Sequence, residues 1–171
     1  MCIETSDPSR DEGPSQKRIL IALDHSDPAE WALKVGGRLA EQLSARFLLL
    51  HVIQLDLGIA EDFVTAQKVD ALNHEEGLAL LERADKLLPA AIPRERLLQD
   101  GGSADEICRI ARDWKADFVV MGTRGRGRIA QFVLGSTSES VIRRAPCPVV
   151  TVGHDPASKP HLQVEHAVAA R

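Results

Sequence analysis

Short apolar runs separated by amphipathic stretches are the feature that most restricts how this chain can fold. The clearest runs are Ile19–Leu23, Phe47–Ile53, Phe118–Met121 and Pro148–Val152, and a weaker one lies at Arg96–Leu98. Strands that are apolar throughout, rather than alternating, are typical of sheets covered on both faces. Alternation of strands with helices favours parallel βαβ units. The sequence therefore predicts an α/β fold, an open doubly wound, mainly parallel sheet of five strands with four helices.

The stretches between the runs predict where the helices begin. Residues Asp27–Glu30 offer Asp27 as N-cap, a proline at the first helical position and an acid at the third. The second helix is expected over residues 66–88, after a loop at residues 54–65. Ser103–Glu106 and Ser136–Glu139 have the spacing of capping boxes, which predicts a third helix and a fourth helix over residues 136–144.

Length, charge and the chain ends limit the class of protein. The 171 residues suit one domain, which we expect at 17–153, with a disordered arm at 1–16 and a flexible tail at 154–171. A net charge of −4 gives no reason to expect a nucleic-acid partner or an anionic membrane surface. No apolar run approaches the roughly 20 residues that span a bilayer. The N-terminus does not resemble a signal peptide and the three cysteines are dispersed, so we expect a cytoplasmic protein.

A glycine-rich segment joins the fourth apolar run to the fourth predicted helix. It begins Gly122-Thr-Arg-Gly125 and ends Gly135-Ser-Thr-Ser138, with further arginines at positions 126 and 128. Glycine lets backbone N–H groups approach a ligand closely, and a helix N-terminus adds unpaired donors and partial positive charge. The segment therefore predicts a polyphosphate site, and the alternative is a surface turn with solvated arginines.

Two familiar nucleotide motifs do not explain this segment. The P-loop pattern, which needs a Gly-Lys-Ser/Thr ending, is absent from the sequence. Residues Gly125–Ala130 match the dinucleotide fingerprint, but they follow a late strand, and no acid lies on a second strand after them. A Rossmann dehydrogenase is therefore disfavoured.

The expected sheet also predicts where a ligand binds. Doubly wound sheets hold ligands beyond the carboxyl ends of their strands, near the switch in strand order. That rule selects Asp24 after the first strand, residues His51–Ile53 at the end of the second, and the glycine-rich segment after the fourth.

With these positions identified, the chain resembles the nucleotide-binding branch of the universal stress protein family, from Lys17 to Gly153. The family's motif G-x2-G-x9-G-[ST] is matched without a gap by Gly122, Gly125 and Gly135-Ser136. The first strand with its aspartate and the closing residues 147–152 are similar too. The resemblance implies an adenine nucleotide alpha hydrolase-like fold.

The resemblance implies ATP binding, with Mg²⁺ held through the phosphates. Asp24 and Val52 would contact ribose and adenine, and Met121 would lie against the base. It also implies a homodimer through the last strand, and His25 stands where the family often has glycine. The residues implied for the phosphates are Gly122, Arg124, Gly125, Gly135, Ser136, Thr137 and Ser138.

Several of these residues have a structural interpretation as well. Asp24 can cap the turn after the first strand. Ser136 can satisfy a backbone N–H at the start of the fourth helix. His51 is interpreted as a half-buried polar residue. Packing roles are expected for Trp31 and Trp114, and Cys147 is expected to be a small apolar strand residue.

Three functions remain open at this point. The leading hypothesis is a regulatory stress-response module, in which ATP occupancy shifts a loop or dimer state that an unidentified protein partner reads. The second is a slow ATPase, or self-phosphorylation on Ser136 or Ser138. It is disfavoured because the nearby acids, Asp24 and Glu139, have other plausible roles, so an efficient enzyme is not expected. The third, a docking dimer that uses no nucleotide, is disfavoured by the intact glycine motif.

Overall fold

Five strands and four helices make up the part of the chain that a computed structural model describes, residues 16–54, 63–123 and 134–153. In chain order they are β1 (Arg18–Leu23), α1 (Asp27–Leu43), β2 (Arg46–Ile53), α2 (Phe63–Lys86), β3 (Arg94–Asp100), α3 (Ser103–Asp113), β4 (Phe118–Gly122), α4 (Ser136–Arg144) and β5 (Val149–Val152). The strand order is β3-β2-β1-β4-β5, and every pairing is parallel. The predicted fold is confirmed. The predicted tail, and the predicted arm apart from Gln16, lie outside the described residues.

Helices cover both faces of the sheet. Ile19 and Ile21 of β1 belong to a buried cluster with residues of α1 and α2, whereas Leu20 belongs to a second cluster with residues of α3 and α4. Neighbouring residues of one strand are therefore buried on opposite faces, which is why these strands are apolar throughout. Burying each large aliphatic side chain contributes about 1.5–3 kcal/mol.

Glycine allows α1 to lie close against the first strand. A Cβ atom at Gly36 would stand 2.6 Å from Cδ1 of Ile21, a distance that real Cβ atoms do not reach. The absence of a side chain at this position therefore brings α1, and the turn that precedes it, close to the end of β1.

The predicted cap of α1 is wrong by one residue. Ser26 is the N-cap, and its Oγ accepts a hydrogen bond from the N–H of Ala29 at 3.4 Å. Asp27 is the first helical residue, so Pro28 follows it inside the first turn, where a missing N–H has no cost. Both Ser26 and Asp27 are good caps, and the turn after β1 decides between them.

The two predicted capping boxes are also wrong. The N-caps of α3 and α4 are Gly102 and Gly135, neither of which can offer a side chain. Ser103 and Ser136 are instead the first helical residues. In α4, Glu139 therefore lies one position too far along to reach back to the cap, and its carboxylate pairs with Arg143 at 2.6 Å.

Two elements have bounds that differ from the prediction by more than one residue. Strand β3 extends over seven residues rather than three, with charged residues at both of its ends. It tolerates them because, among the described residues, it pairs with β2 alone and stands at the edge of the sheet. Helix α2 begins at Phe63 rather than Ala66 and ends at Lys86 rather than Leu88. Within the described ranges, no helix combines the length and apolar character needed to cross a membrane.

Candidate functional site

A cleft opens at the carboxyl edge of the sheet, where the strand order reverses between β1 and β4. It encloses about 450 Å³ of empty volume, including space open to solvent. Asp24, Val52, Met121 and Gly122 line it from the ends of three neighbouring strands, and Thr137 lines it from the first turn of α4. These five are all residues that the sequence selected. The cleft lies where doubly wound sheets bind ligands.

Other lining residues make much of the wall apolar. Met121 is 5% exposed and belongs to the same buried cluster as Ala22, Leu50 and Ile107. Such a surface suits a flat, weakly polar ring better than a charged group. The lining residues that were not predicted from the sequence are Ala22, Leu23, Ala29, Leu50, Ser103 and Ile107.

Ser103 is the polar residue of this set, and its position in the sequence predicted only a helix cap. It lies in the first turn of α3, directly after β3 ends at Asp100. Because all five strands are parallel, the end of β3 lies at the same edge of the sheet as the ends of β1 and β4. The rule that selected Asp24 could therefore have selected Ser103.

Asp24 holds the turn that follows β1. Its Oδ1 accepts a hydrogen bond from the N–H of Ser26 at 3.0 Å and a second, short one from the Ser26 hydroxyl. The turn-capping interpretation of Asp24 is thus confirmed. Both bonds use Oδ1, and within the described part of the chain Oδ2 accepts none. One oxygen of the carboxylate therefore holds the turn while the other can accept from a ligand hydroxyl.

Ser138 connects α4 to the end of β4. Its side chain is 2% exposed, and its Oγ donates a hydrogen bond to the carbonyl oxygen of Gly122 at 2.9 Å. The pairing of β4 with β1 ends one residue earlier, at Met121, so the hydroxyl takes the place of a strand partner. A phosphate oxygen needs a donor, and the Ser138 hydroxyl proton is already used.

The packing of β4 against α1 requires glycine at position 122, whether or not a ligand binds. A Cβ atom there would stand 3.0 Å from Cβ of Pro28 and 3.1 Å from the backbone nitrogen of Ala29. Backbone atoms cannot rotate away as a flexible side chain can, so a larger residue would push β4 and α1 apart. Gly122 therefore keeps two sides of the cleft close together.

The N-terminus of α4 supplies backbone donors at one end of the cleft. The first helical hydrogen bond runs from the N–H of Glu139 to the carbonyl of Gly135 at 2.9 Å. The N–H groups of residues 136–138 precede it and have no partner within the helix, which gives this end partial positive charge. The N–H of Gly135 is bonded to the carbonyl of Thr123 at 2.9 Å. Arg124 and Gly125 lie outside the described residues.

Two histidines meet beside the cleft. The rings of His25 and His51 are 5.6 Å apart and nearly perpendicular, at 84°. His51 is half-buried, and its Nδ1 lies 2.8 Å from the carbonyl oxygen of Leu23, so the Nδ1 proton is donated there. The interpretation of His51 as a half-buried polar residue is confirmed.

The residues expected to pack do so, but Cys147 lies two residues before β5 rather than in a strand. Trp31 contacts the cluster under α1 and α2, and Trp114 and Cys147 contact the cluster under α3 and α4. Burial raises the pKa of the Cys147 thiol above its ordinary value. A thiol in this environment is a poor nucleophile, as expected of a packing residue.

The fold and the cleft together define a doubly wound α/β protein with a cleft at the strand switch. A model of the universal stress protein family matches residues 16–153, and the chain belongs to that family.

Relatives of known sequence or structure agree with this assignment. A universal stress protein from Thermus aquaticus is 38% identical over 138 residues, which cover 80% of this chain and 98% of that protein. The solved structure of hypothetical protein MJ0577 is 28% identical, with a TM-score of 0.72, and the match covers 81% of this chain and 96% of that one. A family member from Arabidopsis thaliana, solved with AMP bound, is 23% identical with a TM-score of 0.60, covering 85% of this chain and 96% of that one.

Proposed function

We propose that this protein is a regulatory member of the stress-response family that binds ATP with Mg²⁺ in the cleft at the strand switch. The observation that carries the proposal is the arrangement of the cleft. Its wall is partly apolar, Asp24 stands at one strand end, and the N-terminus of α4 lies at the same edge of the sheet. These features match in turn the base, the ribose and the phosphates of a nucleotide.

Adenine would bind against Met121, with its edge read by the backbone of Val52. The N–H of Arg46 bonds to the carbonyl of Lys17, so even-numbered residues of β2 direct their backbone groups toward β1. The pairing of β1 with β2 ends at Leu23 and His51. The carbonyl of Val52 therefore lies beyond the last residue of β2 that pairs with β1, and it can accept from the amino group of adenine. Oδ2 of Asp24, which accepts no hydrogen bond from the described residues, can accept from a ribose hydroxyl.

The phosphates would lie at the start of α4. The N–H groups of residues 136–138 and the Thr137 hydroxyl can donate to phosphate oxygens, as helix N-termini commonly do. Ser138 would contribute its amide rather than its hydroxyl. Mg²⁺ would be held through the phosphates, because this ion keeps several waters and needs few protein ligands. We retain Gly122, Arg124, Gly125 and Gly135 as proposed neighbours of the phosphates.

The relative solved with AMP bound supports an adenine nucleotide as the ligand class. A regulatory role is favoured over catalysis because both acids considered for activating water have another role, which for Oδ2 of Asp24 is the proposed contact with ribose. Asp24 holds the turn at Ser26, and Glu139 pairs with Arg143. Phosphoryl transfer needs a positioned nucleophile in addition to charge stabilisation. ATP would therefore act as a signal whose occupancy the rest of the protein responds to.

Thr137→Val tests the proposal with little change of shape, because it exchanges a hydroxyl for a methyl group. A hydrogen bond to a charged group contributes about 1.5–3 kcal/mol, so we expect ATP affinity to fall about tenfold or more. Isothermal titration calorimetry with ATP and Mg²⁺ measures it. Thr151→Val makes the same exchange in β5, outside the cleft lining, and should leave affinity unchanged. Equal affinities of Thr137→Val and wild type would refute the role of Thr137, and no detectable ATP binding by the wild type would refute the function.

A further inference from the structure

Three side chains outside the cleft meet at the far edge of the sheet. Asp70 and His74 are one turn apart on α2, and Asp100 ends β3. One ligand atom from each residue lies within 4.8 Å of the others. Their side chains are 49%, 37% and 44% exposed, so an ion from solvent can reach all three.

Hydrogen bonding determines which nitrogen of His74 carries the proton. Nδ1 lies 2.9 Å from the backbone carbonyl oxygen of Asp70. A carbonyl only accepts, so Nδ1 is the donor and the neutral ring has its lone pair on Nε2. That nitrogen lies 3.2 Å from Oδ1 and 3.3 Å from Oδ2 of Asp100. A lone pair facing a carboxylate at this distance calls for a cation between them, which is either a proton or a metal ion.

The surroundings of His74 are negative. Two carboxylates face its ring: Oδ1 of Asp70 lies 3.4 Å from Nδ1, and Oδ1 of Asp100 lies 3.2 Å from Nε2. Within the described part of the chain, the charges that act on this imidazole are both acidic. The cluster is therefore suited to a positive ion.

We propose that Asp70, His74 and Asp100 form a binding site for a divalent metal ion of the zinc class, separate from the nucleotide cleft. Zinc takes imidazole nitrogen and carboxylate oxygen at about 2.0–2.2 Å, so two ligand atoms 3.2 Å apart fit one ion. The Asp70 carboxylate, which lies on the Nδ1 side of the ring, would join after rotating toward Nε2, and water would complete the coordination. A histidine that donates its other N–H to a backbone carbonyl is the usual outer contact of a metal ligand, because the bond orients the ring.

Zinc chloride added to the full-length protein tests this site. Imidazole nitrogen shifts in NMR spectra can be assigned to His74, which is necessary because the chain carries other histidines outside the described residues. At mildly alkaline pH the ring is neutral and protons compete weakly. We expect zinc to shift Nε2 of His74 strongly and saturably, while the Nδ1 proton keeps its bond to Asp70.

Matched variants make the result specific. Asp100→Asn should weaken zinc binding at His74 by about tenfold or more, and His74→Gln should remove one zinc equivalent measured by calorimetry. Glu82→Gln, an acid on the same helix that pairs with Lys86 at 2.8 Å, should change neither. If zinc leaves the chemical shifts of the His74 nitrogens unchanged while acid changes them, the cluster binds only a proton and the proposal is wrong. Unchanged zinc affinity in Asp100→Asn would overturn it as well.

Discussion

At the scale of single residues, the side chains nearest the cleft also hold the fold together. Asp24 accepts two hydrogen bonds from Ser26, and Ser138 donates to the carbonyl of Gly122. Gly122 in turn has no room for a side chain beside Pro28. Substituting these residues would therefore affect stability as well as ligand binding, and the two effects have to be measured separately.

Ser138→Ala would measure how much the hydrogen bond between Ser138 and Gly122 contributes to the stability of the fold. The substitution leaves a buried carbonyl without its donor, and such a loss costs about 1–3 kcal/mol. We expect the free energy of unfolding, measured with denaturant, to fall by that amount. Ser140→Ala, in the same helix but without a side-chain bond to β4 within the described residues, should change it by less than about 0.5 kcal/mol. Equal stability of Ser138→Ala and wild type would show that the bond contributes little.

At the scale of elements, β5 is the edge strand at which the sequence predicts contact with a second copy of the chain. Among the described residues it pairs with β4 alone and stands at the edge. The carbonyls of Pro148 and Val152 accept from β4, so the backbone groups of Val149 and Thr151 point away from the sheet. Exposed strand edges tend to pair. The homodimer through the last strand remains a prediction of the sequence.

Thr151→Pro tests that dimer. Proline removes an outward N–H and is tolerated on an edge strand, so the monomer should stay folded while association weakens about tenfold or more. Analytical ultracentrifugation measures the association. This change is cleaner than a substitution of Val150, whose side chain packs against the core.

Thr151→Val is the matched control for the dimer, because it keeps both the N–H and the branched shape. It should associate like the wild type. A wild-type protein that sediments as a monomer at micromolar concentration would contradict the prediction, and so would a Thr151→Pro dimer of undiminished affinity.

At the scale of the whole molecule, ATP would join parts of the chain that are far apart in sequence. The proposed contacts come from the ends of β1, β2 and β4 and from the start of α4. We therefore expect ATP with Mg²⁺ to slow hydrogen exchange of the amides at residues 122–138. Phosphate release should stay far below the roughly 1–100 per second of efficient kinases. Mass spectrometry of exchanged peptides and a phosphate assay measure the two quantities.

Asp24→Ala separates the regulatory function from catalysis. Rapid phosphate release by the wild type that disappears in Asp24→Ala would mean that the protein is an ATPase. Slow release that the variant leaves unchanged would point to a contaminating enzyme. Exchange that ATP does not alter at residues 122–138 would count against the proposed phosphate contacts.

The sequence alone determined the fold class and the edge of the sheet at which the cleft opens. A strand buried on both faces must be apolar throughout, so β1, β2 and β4 are visible as local runs, and parallel strands bring their carboxyl ends to one edge. Asp24, Val52, Met121, Gly122 and Thr137 could be selected because each lies at a strand end or in the glycine-rich segment. The length of the edge strand β3 was underestimated, because a strand at the edge of the sheet can carry charged residues and these hide its ends in the sequence.

Only the tertiary structure decided the caps and the contacts of the polar side chains. Ser26 and Asp27 can both cap a helix, and the choice depends on how the chain turns after β1. The bond from Ser138 to Gly122, and the approach of Asp100 to His74, join residues 16 and 26 positions apart. Such contacts depend on distances of about 3 Å between separate elements. Local pattern cannot supply those distances, because they follow from how the helices pack on the sheet.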